Sequence, residues 1–340
     1  MASMVTGLYR LLKGRFTPPV DPTASLENKT VLVTGGNCGL GLEAVIKYVN
    51  LGASTVILGC RSIERGNQAK STIEILSGRQ DIVQVWQLDL NSYDSVIAFS
   101  ERVNKELSQL DIVLLNAGAL NREYLLSPEG WEQTIQVNAL STILLALLLL
   151  PKLRDSCTEE GQAHLTFTSS GTHKFVKRSE LVSPDNKPIL QHINREAKYH
   201  SLSQYRTSKI LLEFAVKRIA LITLEESGKP SVIVNSACPG LCTTNLERDY
   251  KTNFVERFFG AIFYFIVGRT AEQGSRSLVS ATLLGEDSHG KYWTHDAFPD
   301  LSQFLVATEE GKRLQEKAWE EIVEELKIRS PLIEELVRVF

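Results

Sequence analysis

The stretch that decides the fold is Thr30-Val31-Leu32-Val33-Thr34, followed at once by Gly35-Gly36-Asn37-Cys38-Gly39-Leu40-Gly41. The first five residues, rich in β-branched side chains and bounded by glycine, read as a buried strand. Beyond the glycines, Leu42, Val45, Ile46 and Val49 recur at i, i+3, i+4 and i+7, which predicts an amphipathic helix closed by Gly52. A glycine-rich turn between strand and helix brings backbone N–H groups and the positive helix end against a pyrophosphate. Gly35 permits the tight turn, Gly39 lets the backbone approach a ligand, and Gly41 lets helix and strand pack closely. Asn37 and Leu40 lie between them as further cofactor contacts. The spacing is G-x-x-x-G-x-G, not the commoner G-x-G-x-x-G, and an ordinary strand-to-helix turn is the competing reading.

Outward from this unit the same alternation continues. Strands are expected at Thr55 to Leu58, Ile82 to Leu88, Asp111 to Leu115, His164 to Thr168 and Ser231 to Asn235, with segments of helical period between them. That is an α/β chain: one doubly wound parallel sheet with helices on both faces. At 340 residues, one large domain accommodates it. Three stretches exceed a minimal sheet: residues 1–28, residues 172–200 and a section from about Asp296 onward. Pro18-Pro19 and Pro22 make the first an arm or linker, while Trp319, Ile322, Val323 and Leu326 repeat at helical spacing and predict a packed final helix in 296–340.

A net charge of -3 leaves no basic surplus for a phosphate backbone, so nucleic acid is not an expected partner. The longest unbroken apolar runs, Ile143 to Leu150 and Phe258 to Val267, fall short of the roughly 18 residues that span a bilayer. Leu8 to Phe16 interleaves charge with apolar residues and lacks a signal-peptide core. Five cysteines without C-x-x-C spacing fit a reducing compartment. The expectation is a cytoplasmic chain whose membrane contact is at most peripheral, with no metal site.

The end of the second strand reads the nucleotide. NAD-binding proteins place an acid there for the ribose hydroxyls; this chain has Leu58-Gly59-Cys60-Arg61. Arg61 offers a planar donor fork suited to a 2′-phosphate, which points to NADP(H), and Arg65 stands one turn beyond it. A solvated surface position is the alternative for both arginines. Far downstream, Tyr205 and Lys209 are four apart in a segment of helical period and share a face. A neighbouring ammonium and a cationic oxidised nicotinamide are both expected to lower the phenol's pKa, so that Tyr205 can pass a proton to or from a carbonyl or alcohol oxygen.

Taken together, these motifs resemble the short-chain dehydrogenase/reductase family, from about Lys29 to about Leu284, and the resemblance implies a Rossmann-type domain over 29–295. It also implies site roles. Asn138 in Val137-Asn138-Ala139 is similar to the residue that holds a relay water behind the lysine. Ser170 in Thr168-Ser169-Ser170-Gly171 is similar to the serine that bonds the substrate oxygen, and Ser169 is its rival. Tyr205 and Lys209 complete the catalytic set. Asp89 resembles the adenine-contacting acid, Asn116 in Asn116-Ala117-Gly118 the turn beside the ribose, and Thr244 after Pro239-Gly240 the nicotinamide loop. The 35 positions from Ser170 to Tyr205 resemble the retinol-dehydrogenase-like branch. Within that longer connection, His173, His192 and His200 read as surface residues.

Residues 245–268 fall where the family builds a substrate lid, and Phe254, Phe258, Phe259, Phe263, Tyr264 and Phe265 would suit a bulky apolar substrate. A core helix, an oligomer contact or a membrane contact explains the same run. The leading expectation is an NADPH-dependent reductase of a hydrophobic polyketide- or terpenoid-like carbonyl in secondary metabolite biosynthesis. The alternatives are a retinol- or lipid-type alcohol dehydrogenase and a non-catalytic NADP-sensing scaffold. Ile143 to Leu150 could join two copies in a homodimer or be buried within one.

Overall fold

The computed structural model describes residues 14–158, 161–243 and 267–338. Seven strands form one sheet in the order β3-β2-β1-β4-β5-β6-β7, every pairing parallel. They are β1 Thr30–Thr34, β2 Thr55–Cys60, β3 Val83–Gln87, β4 Ile112–Leu115, β5 Ala163–Thr168, β6 Val232–Cys238 and β7 Tyr292–Thr294. Six were expected; β1 has the expected bounds, and each of the other five differs at one end or both. β7 has only three residues, too few to show a periodicity.

The main helices are α1 Gly39–Asn50, α2 Ile63–Ser77, α3 Tyr93–Glu106, α4 Ser141–Asp155, α5 Ser201–Ile222, α6 Ala271–Ala281 and α7 Glu309–Arg329. Local chemistry starts several of them. The Ser62 hydroxyl accepts from Arg65 N at α2, Ser92 from Ser95 N at α3, and Thr270 with Gln273 forms a capping box at α6. In α1 the buried stripe is Gly41, Ala44, Val45, Tyr48 and Val49. It is rotated from the expected face, because Leu42 and Ile46 keep partial exposure.

Two apolar layers cover the sheet. One includes α3, α4, α5 and α7 residues, the other α1, α2 and α6 residues. Trp319, Ile322, Val323 and Leu326 of α7 are all buried in the first layer. Ile143 to Leu150 is likewise buried within the chain. The helical stretch Gln133–Asp155 as a whole is long and apolar enough to cross a membrane, which a search for unbroken runs misses; 89% of its most apolar window lies inside this fold.

The proline-containing arm runs over the α6 side. Arg269, buried, donates from Nε to Gly14 O at 2.7 Å and from Nη2 to Thr17 O at 3.2 Å, and Lys47 pairs with Asp21 at 2.9 Å. In the connection between β5 and α5, His173 and His192 are buried rather than on the surface. The first packs edge-on against Tyr292 and the second approaches the Ser179 carbonyl, so each ring serves the interior. His200 is the exposed N-cap of α5. All five cysteines are free.

Candidate active site

A cleft of about 580 Å³ opens at the carboxyl ends of the strands, spanning the switch between β1 and β4 where the chain reverses its winding. The turn from β1 to α1 forms part of its wall. Gly35 adopts φ +69°, and its N–H donates to Gly59 O at 2.7 Å. At Gly41 a Cβ would lie 2.3 Å from the Gly35 carbonyl and 2.6 Å from Asn116 Nδ2, so only glycine fits. The cradle is therefore shaped by backbone, with its N–H groups at the start of α1 beside an open cleft. Asn37, Gly39 and Leu40 line the same wall.

Asn116 is a buttress of this wall. Its N–H donates to Thr34 Oγ1 at 2.9 Å and its Nδ2 to Thr34 O at 3.1 Å, tying the end of β4 to the end of β1. Farther along lie Arg61, Arg65 and Asp89, all on the cleft wall. Neither guanidinium makes a hydrogen bond or ion pair among the described residues, whereas Asp89 Oδ1 accepts from Asn91 N at 3.0 Å. Ser62, Leu90 and Asn91 join them there. Ser62 is legible in retrospect as the hydroxyl that starts a helix just after a strand.

At the other side of the cleft stand Ser170, Tyr205 and Lys209. Tyr205 and Lys209 occupy one face of α5, with Lys209 Nζ 5.7 Å from the phenol ring centre. Ser170 caps the turn Gly171–Phe175, where its hydroxyl accepts from Thr172 N at 3.3 Å and Thr172 Oγ1 approaches it at 3.0 Å. The same hydroxyl lies close enough to the Tyr205 phenol to pull its pKa down. Ser169 also reaches the wall, but its hydroxyl is buried without a partner. Of the two rival serines, Ser170 is the one at the phenol.

The electrostatics differ from the sequence expectation. Tyr205 keeps some exposure toward the cleft, yet the protein packed around its hydroxyl pushes the phenol up to about 12, against the pull of the nearby Ser170 hydroxyl. Burial acts on Lys209 as well and brings it down to about 8, while Cys238 and Glu213 favour its charge. Desolvation outweighs the expected effect of the ammonium on the phenol. Lys209 Nζ donates to Thr168 O at 2.8 Å, a partner invisible in the sequence because it is a backbone carbonyl.

Asn138 sits in a single π-helical turn, Gln136–Leu140, inside an otherwise α-helical stretch. Its Oδ1 accepts from Ala119 N at 2.7 Å, while Nδ2 donates to Ala119 O at 2.9 Å and Ser208 Oγ at 3.0 Å. The side chain is fully committed to that scaffold. Thr244 and the aromatic lid run lie outside the described residues, apart from residues 267 and 268; Val267 is buried.

Known proteins resemble this chain in sequence and in fold. The family model for short chain dehydrogenase matches residues 29–179. The short-chain dehydrogenase/reductase ffsI of Aspergillus flavipes is 41% identical over 324 residues, 94% of this chain and 92% of that protein. The short-chain dehydrogenase/reductase phmF of Phaeosphaeria nodorum is 43% identical over 322 residues, 94% and 93% of the two chains. Among solved structures, the Pseudomonas aeruginosa RhlG/NADP active-site complex superposes with a TM-score of 0.60 at 21% identity, covering 81% of this chain and 97% of its own. Identity this high across nearly the whole length makes the chain a member of the short-chain dehydrogenase/reductase family of oxidoreductases.

Proposed function

We propose that the protein is an NADPH-dependent reductase that converts the carbonyl of a bulky apolar substrate to an alcohol, in a fungal secondary-metabolite pathway. The observation that carries the reading is that Ser170, Tyr205 and, one turn on, Lys209 line the same cleft as the glycine cradle, with Lys209 Nζ 5.7 Å from the phenol ring centre. A sensing scaffold has no use for a buried amine beside such a phenol.

The residues present fit the cofactor. The Gly35 to Gly41 backbone would hold the pyrophosphate, Arg61 and Arg65 the 2′-phosphate, Asp89 the adenine, and Asn116 the ribose turn. No acid stands at the end of β2 to accept from a free 2′-hydroxyl, which favours the phosphorylated cofactor. The RhlG complex, which holds NADP in the same fold, is consistent with this. Thr244 would complete the nicotinamide end. When bound, the reduced nicotinamide supplies the hydride.

The chain's own residues supply the rest. Ser170 orients the substrate oxygen, and Tyr205, protonated at neutral pH because its pKa is pushed up to about 12, gives that oxygen its proton. Lys209 in its ammonium form steadies the negative charge left on the phenol oxygen. Asn138 holds the Ala119 segment and α5 in register, and the backbone of its π turn is the candidate holder of a relay water. The pathway assignment draws support from the fungal origin of the two curated relatives. The apolar substrate rests on the aromatic content of residues 254–265.

The test is purified full-length protein with NADPH and a panel of bulky ketones, followed at the cofactor's absorbance. Tyr205→Phe is expected to lose turnover by about two to four orders of magnitude while still binding NADPH. Unchanged turnover in that variant would end the catalytic reading.

A further inference from the structure

Behind Lys209, away from the cleft, the interior holds polar atoms that the reaction as written does not use. Glu213 lies one turn past Lys209 on α5 and is 3% exposed. Its Oε2 accepts from Ser236 Oγ of β6 at 3.0 Å, but its Oε1 is buried with no partner. His173, in the turn that follows Ser170, is 1% exposed; its Nδ1 lies 2.7 Å from Ser170 O, and its Nε2 is also buried with no partner. The two residues belong to one cluster. The His173 ring packs edge-on against Tyr292, whose strand β7 pairs with Ser236, the residue bonded to Glu213.

The chemistry of the two orphan atoms constrains what joins them. The Ser170 carbonyl can only accept, so His173 Nδ1 carries the hydrogen. In the neutral ring Nε2 is then a lone pair, and burial favours that neutral ring. A carboxylate oxygen is an acceptor too. Two acceptors cannot bond each other, but one water can donate a hydrogen to each, and buried polar groups almost always have a partner, from protein or from ordered water.

We propose that Glu213 is a positioning residue for proton transfer: a buried carboxylate, held by Ser236 and by one internal water shared with His173, that keeps Lys209 in its ammonium form. The charged and titratable groups around it are Lys209 and Lys217 on its own helix, His173 on the turn and Tyr292 on β7; Cys238 of β6 adds its effect on Lys209. Lys217 is turned to a different duty, donating from Nζ to Val306 O at 2.8 Å. Lys209 makes no ion pair within 4 Å of Glu213, so the carboxylate acts through space in a low-dielectric interior. The same water would couple Glu213 to the carbonyl of Ser170 through the imidazole, linking the acid behind the lysine to the serine in front of it.

This inference rests on the catalytic reading above for its effect on turnover, but its structural arm does not. A crystal structure of the full-length protein that resolves ordered water is expected to show one water within hydrogen-bond distance of both Glu213 Oε1 and His173 Nε2. An empty gap, or a direct bond between carboxylate and imidazole, would overturn the water site. For the charge, Glu213→Gln keeps an acceptor for Ser236, removes the negative charge and puts an N–H donor where Oε1 accepts. The alkaline limb of kcat/KM for carbonyl reduction is expected to move to lower pH by about half a unit or more. His173→Gln, which keeps Glu213 charged, should leave that limb in place. A limb unmoved in Glu213→Gln, or moved equally in both variants, would overturn the positioning role. Failure of the catalytic reading is detected separately by Tyr205→Phe.

Discussion

Asn138 Nδ2 donates to Ser208 Oγ at 3.0 Å, and this bond pins the π turn ahead of α4 to the helical turn that carries Tyr205 and Lys209. Ser208 Oγ in turn donates to Tyr205 O at 2.7 Å, so the hydroxyl is shared between partner and own helix. The arrangement is a brace. It sets how far α5 stands from the Ala119 segment of the cleft wall without itself touching the cleft.

Ser208→Ala removes the brace while leaving Asn138 its two bonds to the Ala119 backbone. The expected cost in stability is about 1 kcal/mol, the usual price of a lost buried hydrogen bond. The kcat for reduction should fall by about threefold to tenfold, with the KM for NADPH unchanged. Steady-state kinetics and a urea melt check this; a rise in KM with kcat intact would place the brace in cofactor binding instead.

Arg61 directly follows β2 on the cleft wall, and the end of that strand carries no acid. Arg61→Glu replaces a charge-assisted donor with a repelling carboxylate. NADPH affinity should drop by about tenfold to a hundredfold, matching the roughly 1.5–3 kcal/mol of such a bond, while NADH affinity holds or improves. Fluorescence titration with both nucleotides measures the preference directly. If the ratio of the two affinities stays as it was, Arg61 is only a solvated residue.

The sequence disclosed the parts of this architecture that local chemistry writes into it. β1, the glycine turn and α1 were readable because β-branched residues, positive-φ glycines and a 3.6 period coincide within Thr30 to Asn50. That Tyr205 and Lys209 share a helix face was readable from their spacing. What escaped depends on distant packing. β7 exists because Tyr292–Thr294 can extend β6, and nothing local demands it. The burial of His173 and the Ser208 brace are set by which elements meet. The upward push on Tyr205's pKa is of the same kind: desolvation belongs to the surroundings, while the lysine's spacing belongs to the helix.

Lys209 is 4% exposed, and burial lowers its pKa from 10.5 to about 8. Below pH 8 both the folded and the unfolded chain hold this proton, and the folded state bears the full cost of enclosing the ammonium, on the order of 3 kcal/mol at 1.36 kcal/mol per unit. Between pH 8 and 10.5 the unfolded chain binds more protons at this site, so its contribution makes stability rise with pH. Lys209→Met abolishes that cost but leaves Thr168 O without its donor, a loss of about 1–2 kcal/mol. The variant is therefore expected to be more stable than the parent by about 1–2 kcal/mol at pH 7 and to lose that advantage by pH 10, while its reductase activity disappears. The parent's own activity should fall as pH rises through about 8, because the ammonium that steadies the Tyr205 oxygen is being lost. Urea midpoints of both proteins at pH 7 and 10 decide the point. A Met variant less stable than the parent at pH 7 would mean that the amine is a structural asset rather than a charge kept buried for the chemistry.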